Sequence, residues 1–515
     1  MLAAPFAAPL AYLAVRSADE GGFWSAVGDG ALLGPLARSV SLAGAVAAAA
    51  SMVGTLAAWL VTRTDLPGRR AIRLLLPLPL VLPSFIGAFA LIAAFARGGL
   101  VERVLEPLGV GALPSVDGFG GAFVVLTLLT YPYVYLPVAA RLRQLAPAME
   151  ESARLLGRGP TATFGSVVLP QARSAIVAGG LLVFLYVISD FGAVQLLRYD
   201  TLTRAIYANR LIDPPVAAAL SLALGILAIG LVIGQRAAGG AVRTDARREG
   251  PVLVVALGRW RAACVAFISG LLGLALVAPI GVLGYWTARG AAEGSSRSTS
   301  LVENPGRLIE PALNTSLASG LAALVAVAVV LPAAFLTGRH RGRIGAGANA
   351  LITGGFALPG IVIALALAFW TLRSPGPIGA LYQTLPLLVG AYALHFGALA
   401  LGPARVAVTS VPRQLDDDAA RTLGRGRTAR LISIDLPLMA PGLAAAAGLV
   451  LLSAMKELPI TLLLAPAGFP TLATRVWDAA EDAFWADASL ASLVLVALSG
   501  VLTWLLVVRR EREFS

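Results

Sequence analysis

Apolar stretches, most of them close to twenty residues, recur along the chain between short polar turns. They fall at 2–16, 39–62, 72–96, 119–140, 173–197, 215–235, 261–287, 314–337, 347–372, 380–402, 441–465 and 488–508. At 1.5 Å of rise per residue, most of these windows reach across the ~30 Å hydrocarbon core of a bilayer. The pattern predicts an all-α polytopic membrane protein with about 12 transmembrane helices. The first window is the short one and has no basic flank before it. A signal-peptide core and a misassigned start are its competing readings. Removing it would leave an odd number of spans, which the charge distribution opposes.

Composition agrees with the pattern. Of 515 residues, 58% are hydrophobic and 13% charged, and the mean hydropathy is +0.82. Water-soluble domains carry about 25% charged residues, so a soluble enzyme, a disordered chain and a disulfide scaffold are all excluded. The net charge of +12 raises the question of nucleic acid. Sorting the charges by loop answers it. Arg73, Arg173 and Arg261 at the window edges are counted in the even-numbered loops and Arg16 in the odd. The loops after the even-numbered windows, with the C-terminal tail, then sum to +16, and the odd-numbered loops sum to −3. Cytoplasmic loops retain the excess of Lys and Arg. The even-numbered loops and both termini are therefore expected in the cytoplasm, and no nucleic-acid partner is needed.

Rare residues prune the chemistry. The single cysteine, Cys264, lies in an apolar window and reads as a small buried hydrophobe, which leaves no disulfide framework and no thiolate metal site. The single lysine, Lys456, has no phosphate-binding Gly-rich loop around it, so the chain has no ATP-binding P-loop. His340 and His395 lie far apart with no nearby His or Cys, and both read as structural. No metal site is expected, and HExxH and GxSxG motifs are absent.

The chain also repeats itself. ESARLLGRGPTATFGSVVLP at 151–170 answers DAARTLGRGRTARLISIDLP at 418–437, an offset of 267 that carries on to Asp190 and Glu457. SVSLAG at 39–44 answers NTSLAS at 314–319, and VLPSFI at 81–86 answers ALPGIV at 357–362. Two homologous membrane halves follow, 1–250 and 251–515, meeting in the basic linker 236–260. With an even number of spans in each half, the repeats share one orientation about an axis along the membrane normal.

The repeated loop has its own logic. Glu151 and Asp418 place a negative charge at the start of a short helix, where the dipole favours it. Ser152, Ala153, Ala419 and Ala420 are small enough to let another surface approach. Gly157 and Gly424 suit a helix-ending position with positive φ, and Pro160 can open a second helix. Such an element, present twice on the basic side, is suited to docking a cytoplasmic partner.

The segments E-S-A-x-x-x-G and D-A-A-x-x-x-G, each continuing to an L-P pair, resemble the EAA loop of ABC importer permeases. The resemblance runs over nearly the whole chain as two fused permease domains. SDFGAVQLLRYDTLTRAIY at 189–207 and MKELPITLLLAPAGFPTLATRVWDAA at 455–480 are similar to segments of ferric-iron (iron(III)) transport permeases. Ser152 stands where that family usually has Ala, and Asp418 where it usually has Glu. The resemblance implies a type I ABC importer permease fold in a bacterial cytoplasmic (inner) membrane. It further implies coupling loops at Glu151, Ser152, Ala153, Gly157, Asp418, Ala419, Ala420 and Gly424. Two copies of an ABC ATPase would dock there, with ATP and Mg bound by the ATPase and no cofactor in this chain. An extracytoplasmic solute-binding protein would deliver the solute. The chain is then not an enzyme. Thiamine, polyamine and phosphonate permeases are the neighbouring readings, and an ion-coupled secondary transporter is the reading from another class.

Asp190 and Glu457 sit inside apolar windows, where a carboxylate costs roughly 2.5–3.5 kcal/mol on insertion scales. Two readings stand. Both acids line the translocation pathway, or both hold helix ends near Gly192 and Pro459. Tyr131, Tyr133, Tyr135 and Tyr186 read equally as pathway residues or as interfacial anchors.

Overall fold

Residues 4–19, 28, 30–108, 113–145, 147–238, 254–293, 300–339, 342–411, 427–503 and 505 are described by the computed structural model. They form helices throughout: α1 Ala8–Asp19, α2 Leu33–Arg63, α3 Arg69–Leu75, α4 Ser84–Phe95, α5 Leu100–Leu105, α6 Phe119–Thr130, α7 Pro132–Gln144, α8 Pro147–Leu155, α9 Leu169–Ser189, α10 Gly192–Leu196 and α11 Leu202–Ile212. Then follow α12 Pro214–Ala238, α13 Arg261–Leu272, α14 Ala278–Glu293, α15 Ile309–Arg339, α16 Arg343–Ala357, α17 Gly360–Arg373, α18 Leu385–Ser410, α19 Leu436–Ala454, α20 Pro459–Leu464, α21 Leu472–Glu481 and α22 Trp485–Thr503. No strand occurs among the described residues; one isolated parallel bridge joins Thr64 and Val255.

Ten helical segments among the described residues are long and apolar enough to cross a membrane. An eleventh span arises if Gly345–Gly355 and Gly360–Arg373, bent by 97° about a short break, count as one. The expected count of about 12 is reduced at the first window, where α1 has only 12 residues. At 1.5 Å each they extend about 18 Å, short of the hydrocarbon thickness.

The chain divides into two units. One comprises 32–205 and 230–293; the other comprises 1–31, 206–229 and 294–515. In the first, α2, α7 and α9 pack on one another, α4 lies against α6 and α10, and α14 joins α4. In the second, α15, α18 and α19 pack together, α17 lies against α20, and α1 joins α17. The same arrangement is thus built twice. Each unit takes helical segments from beyond the linear half that supplies the rest: α13 and α14 in the first, and α1 with residues 206–229 in the second. The linear boundary near residue 250 lies outside the described residues.

Small residues bring the helices together, as expected where lipid removes the hydrophobic drive for helix association. A Cβ on Gly54 would stand 2.7 Å from the Tyr131 carbonyl oxygen, and one on Gly179 would stand 2.7 Å from Val134 Cα. The core of the second unit is largely alanine, with Ala322, Ala326, Ala400 and Ala446 wholly buried around Val330, Leu388 and Val450. Phe6 inserts into this core, against Gly355 and Gly397.

Candidate functional site

The first repeated loop is a nine-residue helix, α8, closed by a glycine turn. Gly157 has φ +79°; its N–H donates to the Arg154 carbonyl at 2.9 Å, and the Arg158 N–H donates to the Ala153 carbonyl at 3.1 Å. These two bonds make a Schellman motif, which satisfies the last carbonyls of the helix and needs a left-handed residue at Gly157. Ala153 faces inward and is buried, whereas Glu151, Ser152 and Gly157 are exposed. Leu155 and Leu156, at 88% and 81% exposure, present an apolar tip at the turn. Of the second copy, Asp418, Ala419, Ala420 and Gly424 lie outside the described residues.

Two residues of this site carried no sequence signal. Arg63, the last residue of α2 and 1% exposed, places Nη1 2.7 Å from Oε1 of Glu150 in α8. Its Nη2 donates to the Leu142 carbonyl at 2.5 Å. Burial pushes the Glu150 carboxyl up, against the opposing pull of Arg63 and Arg154. Glu150 precedes the matched segment, and Arg63 ends an apolar run; only their meeting in space makes them notable. Past the loop, both repeats return to the membrane through a π-helical turn, Phe164–Val168 and Leu431–Asp435. These segments are 267 residues apart, the offset of the loop itself. Such widened turns recur at functional positions in helices.

Deeper in, each half breaks a helix at its acidic residue. Asp190 follows α9 in extended conformation, and its Oδ1 accepts from the Ala193 N–H at 3.0 Å in the first turn of α10. Its carbonyl accepts from Thr203 Oγ1 at 2.7 Å. Glu457 precedes α20; its Oε1 accepts from the Ile460 N–H at 3.4 Å, and its carbonyl accepts from Thr461 Oγ1 at 2.6 Å. Each carboxylate therefore meets a free helix-end N–H, the arrangement of the helix-end reading.

The space around the two acids differs in a compensating way. The Ser84 hydroxyl, at the start of α4, lies beside the Asp190 carboxylate. At the equivalent start of α17 stands Gly360, where an added Cβ would collide with Glu457 Oε1. The short acid is paired with serine and the long acid with glycine.

Farther along, a hydroxyl from each long helix caps the helix after the break. Ser39 Oγ accepts from the Leu202 N–H at 2.8 Å, and Thr315 Oγ1 accepts from the Leu472 N–H at 2.9 Å. This pairs Ser39 with Thr315, one residue from the match drawn on sequence, and at the offset of the VLPSFI and ALPGIV segments.

Other singled-out residues have structural settings. Tyr131 and Tyr135 are buried, and the Tyr131 hydroxyl donates to the Leu76 carbonyl at 2.8 Å. The rings of Tyr133 and Tyr186 pack at a tilt of 41°, with centres 5.6 Å apart. His395 lies against Phe396 at 4.4 Å, and Cys264 is only half-buried. His340 lies outside the described residues. Among the described residues no group of three His, Cys, Asp or Glu side chains is placed to hold a metal ion.

Comparison with known proteins places this geometry. The family model described as "Binding-protein-dependent transport system inner membrane component" matches twice, at residues 35–238 and 330–510. The chain is 30% identical to "Fe(3+)-transport system permease protein FbpB 2" of Haemophilus influenzae over 477 residues, 92% of this chain and 89% of that protein. It is 33% identical over 236 residues to "Molybdenum transport system permease protein ModB" of Mycobacterium bovis, a match covering 44% of this chain but 87% of that protein. "Sulfate transport system permease protein CysT" of Synechocystis is 27% identical over 37% of this chain and 66% of its own length.

Proposed function

The chain belongs to the family of binding-protein-dependent transport system inner membrane components, as two fused permease domains, and from that premise we propose that it moves ferric iron inward at the expense of ATP hydrolysed by a separate subunit. An importer permease is a multi-pass inner-membrane protein whose work is passage, not bond chemistry. The observation that carries iron is the extended similarity to an Fe(3+)-transport permease across both halves. Similarity to molybdenum and sulfate permeases covers less than half of this chain.

In this reading two ABC ATPases dock on the two repeated loops, residues around 147–172 and 414–439. ATP and Mg belong to those subunits. The exposed Leu155 and Leu156 tip, ordered by the Gly157 turn, supports the first loop as a docking element, since exposed apolar side chains at a helix end find cover in a partner's cleft. The basic loops and both termini face the cytoplasm. A solute-binding protein outside delivers the cargo, and closure of the ATPases draws the loops together to switch access. Asp190 and Glu457 serve the pathway by fixing the breaks that shape it.

Uptake under iron limitation tests the substrate. Cells with the gene are expected to accumulate labelled ferric iron faster than cells lacking it, and labelled molybdate and sulfate at equal rates. Equal iron rates with a difference in molybdate or sulfate would move the assignment to an oxyanion.

A further inference from the structure

The linker between the halves does not simply leave the membrane domain; its described end is stitched back to the last residues of α2. The Val255 N–H donates to the Arg63 carbonyl at 2.8 Å, and the Asp65 N–H donates to the Val255 carbonyl at 3.2 Å, forming the parallel bridge at Thr64. The Leu257 N–H donates to Asp65 Oδ1 at 2.8 Å. The same Arg63 sends its side chain the other way, to Glu150 at the start of α8 and to the Leu142 carbonyl at the end of α7. One residue therefore holds three things: the end of a 31-residue membrane helix by its own backbone, the linker through its carbonyl, and the loop helix through its guanidinium.

The chemistry suits arginine and no other residue. A planar guanidinium can serve a carboxylate and a backbone carbonyl in one rigid geometry, whereas a lysine ammonium at the end of a flexible stem fixes neither direction. Both charges are buried, with side-chain exposures of 1% and 5%. A buried pair of this kind is a modest source of net stability but a strong source of geometry, because separating the partners strands a charge away from water. The pair thus resists relative movement of α2 and α8 more than it stabilises the fold.

We propose that Arg63 is a positioning residue that locks α8, the end of α2 and the described end of the inter-half linker, residues 254–257, into one body, so that displacement of α8 is delivered to α2 and to that segment together. The proposal rests on the reading of α8 as the element an ATPase moves. Residues 254–257 then become part of the coupling apparatus of a fused permease.

The test uses the whole transporter, with its ATPase and binding protein, in lipid nanodiscs. Cys264→Ser clears the background, and Met149→Cys and Val254→Cys carry nitroxide labels on α8 and on the linker. Pulsed electron resonance is expected to give one narrow distance that changes by less than about 3 Å between the nucleotide-free and ATP–vanadate states, well under a one-turn slip. Val255→Pro, which removes the donor to Arg63, is expected to broaden that distance. So is R63M/E150M, which removes both charges and strands neither. In proteoliposomes each variant is expected to keep its ATPase bound while labelled ferric citrate imported per ATP falls about fivefold or more. A nucleotide-dependent change of more than about 5 Å in the parent overturns the single body. So do variants that leave both the distance and the import ratio unchanged. If α8 is not the docking element, Leu155→Asp will leave ATPase binding intact. The nucleotide-free distances then still decide whether the lock exists.

Discussion

Gly360 and Ser84 show how one junction is solved twice with different residues. Where α17 begins, glycine leaves room for the longer Glu457; where α4 begins, Ser84 reaches the shorter Asp190. Gly360→Ser alone should overpack the junction, at about 1–3 kcal/mol, and lower the melting temperature of the purified protein. Gly360→Ser with Glu457→Asp rebuilds the pairing of the other half and should recover most of that loss. Additive losses in the double variant would show that the two positions do not share the space. The two acids were conspicuous in the sequence because charge is rare in apolar windows. Their partners were not: the match of VLPSFI with ALPGIV contains Ser84 and Gly360 but gives no sign that these two meet the acids.

At the scale of elements, the loop helix was legible and its anchor was not. The acid, the small residues and the glycine of 151–157 sit close together in sequence, so local stereochemistry alone specified a short helix with a left-handed end. The Schellman bonds at Gly157 bear out the left-handed end for the first copy, whereas the helix opens at Pro147 and carries Glu150, not Glu151, in its first turn. Arg63 and Glu150 depend on the packing of α2 beside α7, which no local pattern encodes. The π-helical turns likewise escape the sequence, because a slipped hydrogen bond needs no special composition. Two variants test the tip of α8. Gly157→Val forces a β-branched residue into positive φ at about 1–2 kcal/mol and should displace Leu155 and Leu156. Leu155→Asp with Leu156→Asp keeps the turn and removes only the apolar tip. Both should reduce ATPase co-purification about tenfold, equivalent to roughly 1.4 kcal/mol of binding. Retention of the ATPase by the double aspartate variant would exclude the tip as a contact.

For the whole molecule, hydrophobic periodicity gave the all-α membrane class and internal similarity gave the duplication. Packing then regrouped the halves, because helices 8–19 and 278–293 each join a unit built mainly from the other half. Linear order cannot express such an exchange, and the shortness of α1 hid it further. A chain that brings both permease domains should need no second copy of itself, and should offer one docking loop in each half. The mass of the purified complex with its ATPase, measured in the intact state, tests this most directly. One copy of this chain with two ATPase subunits is the expected result. Two copies of this chain per complex, or a single ATPase subunit, would contradict the account.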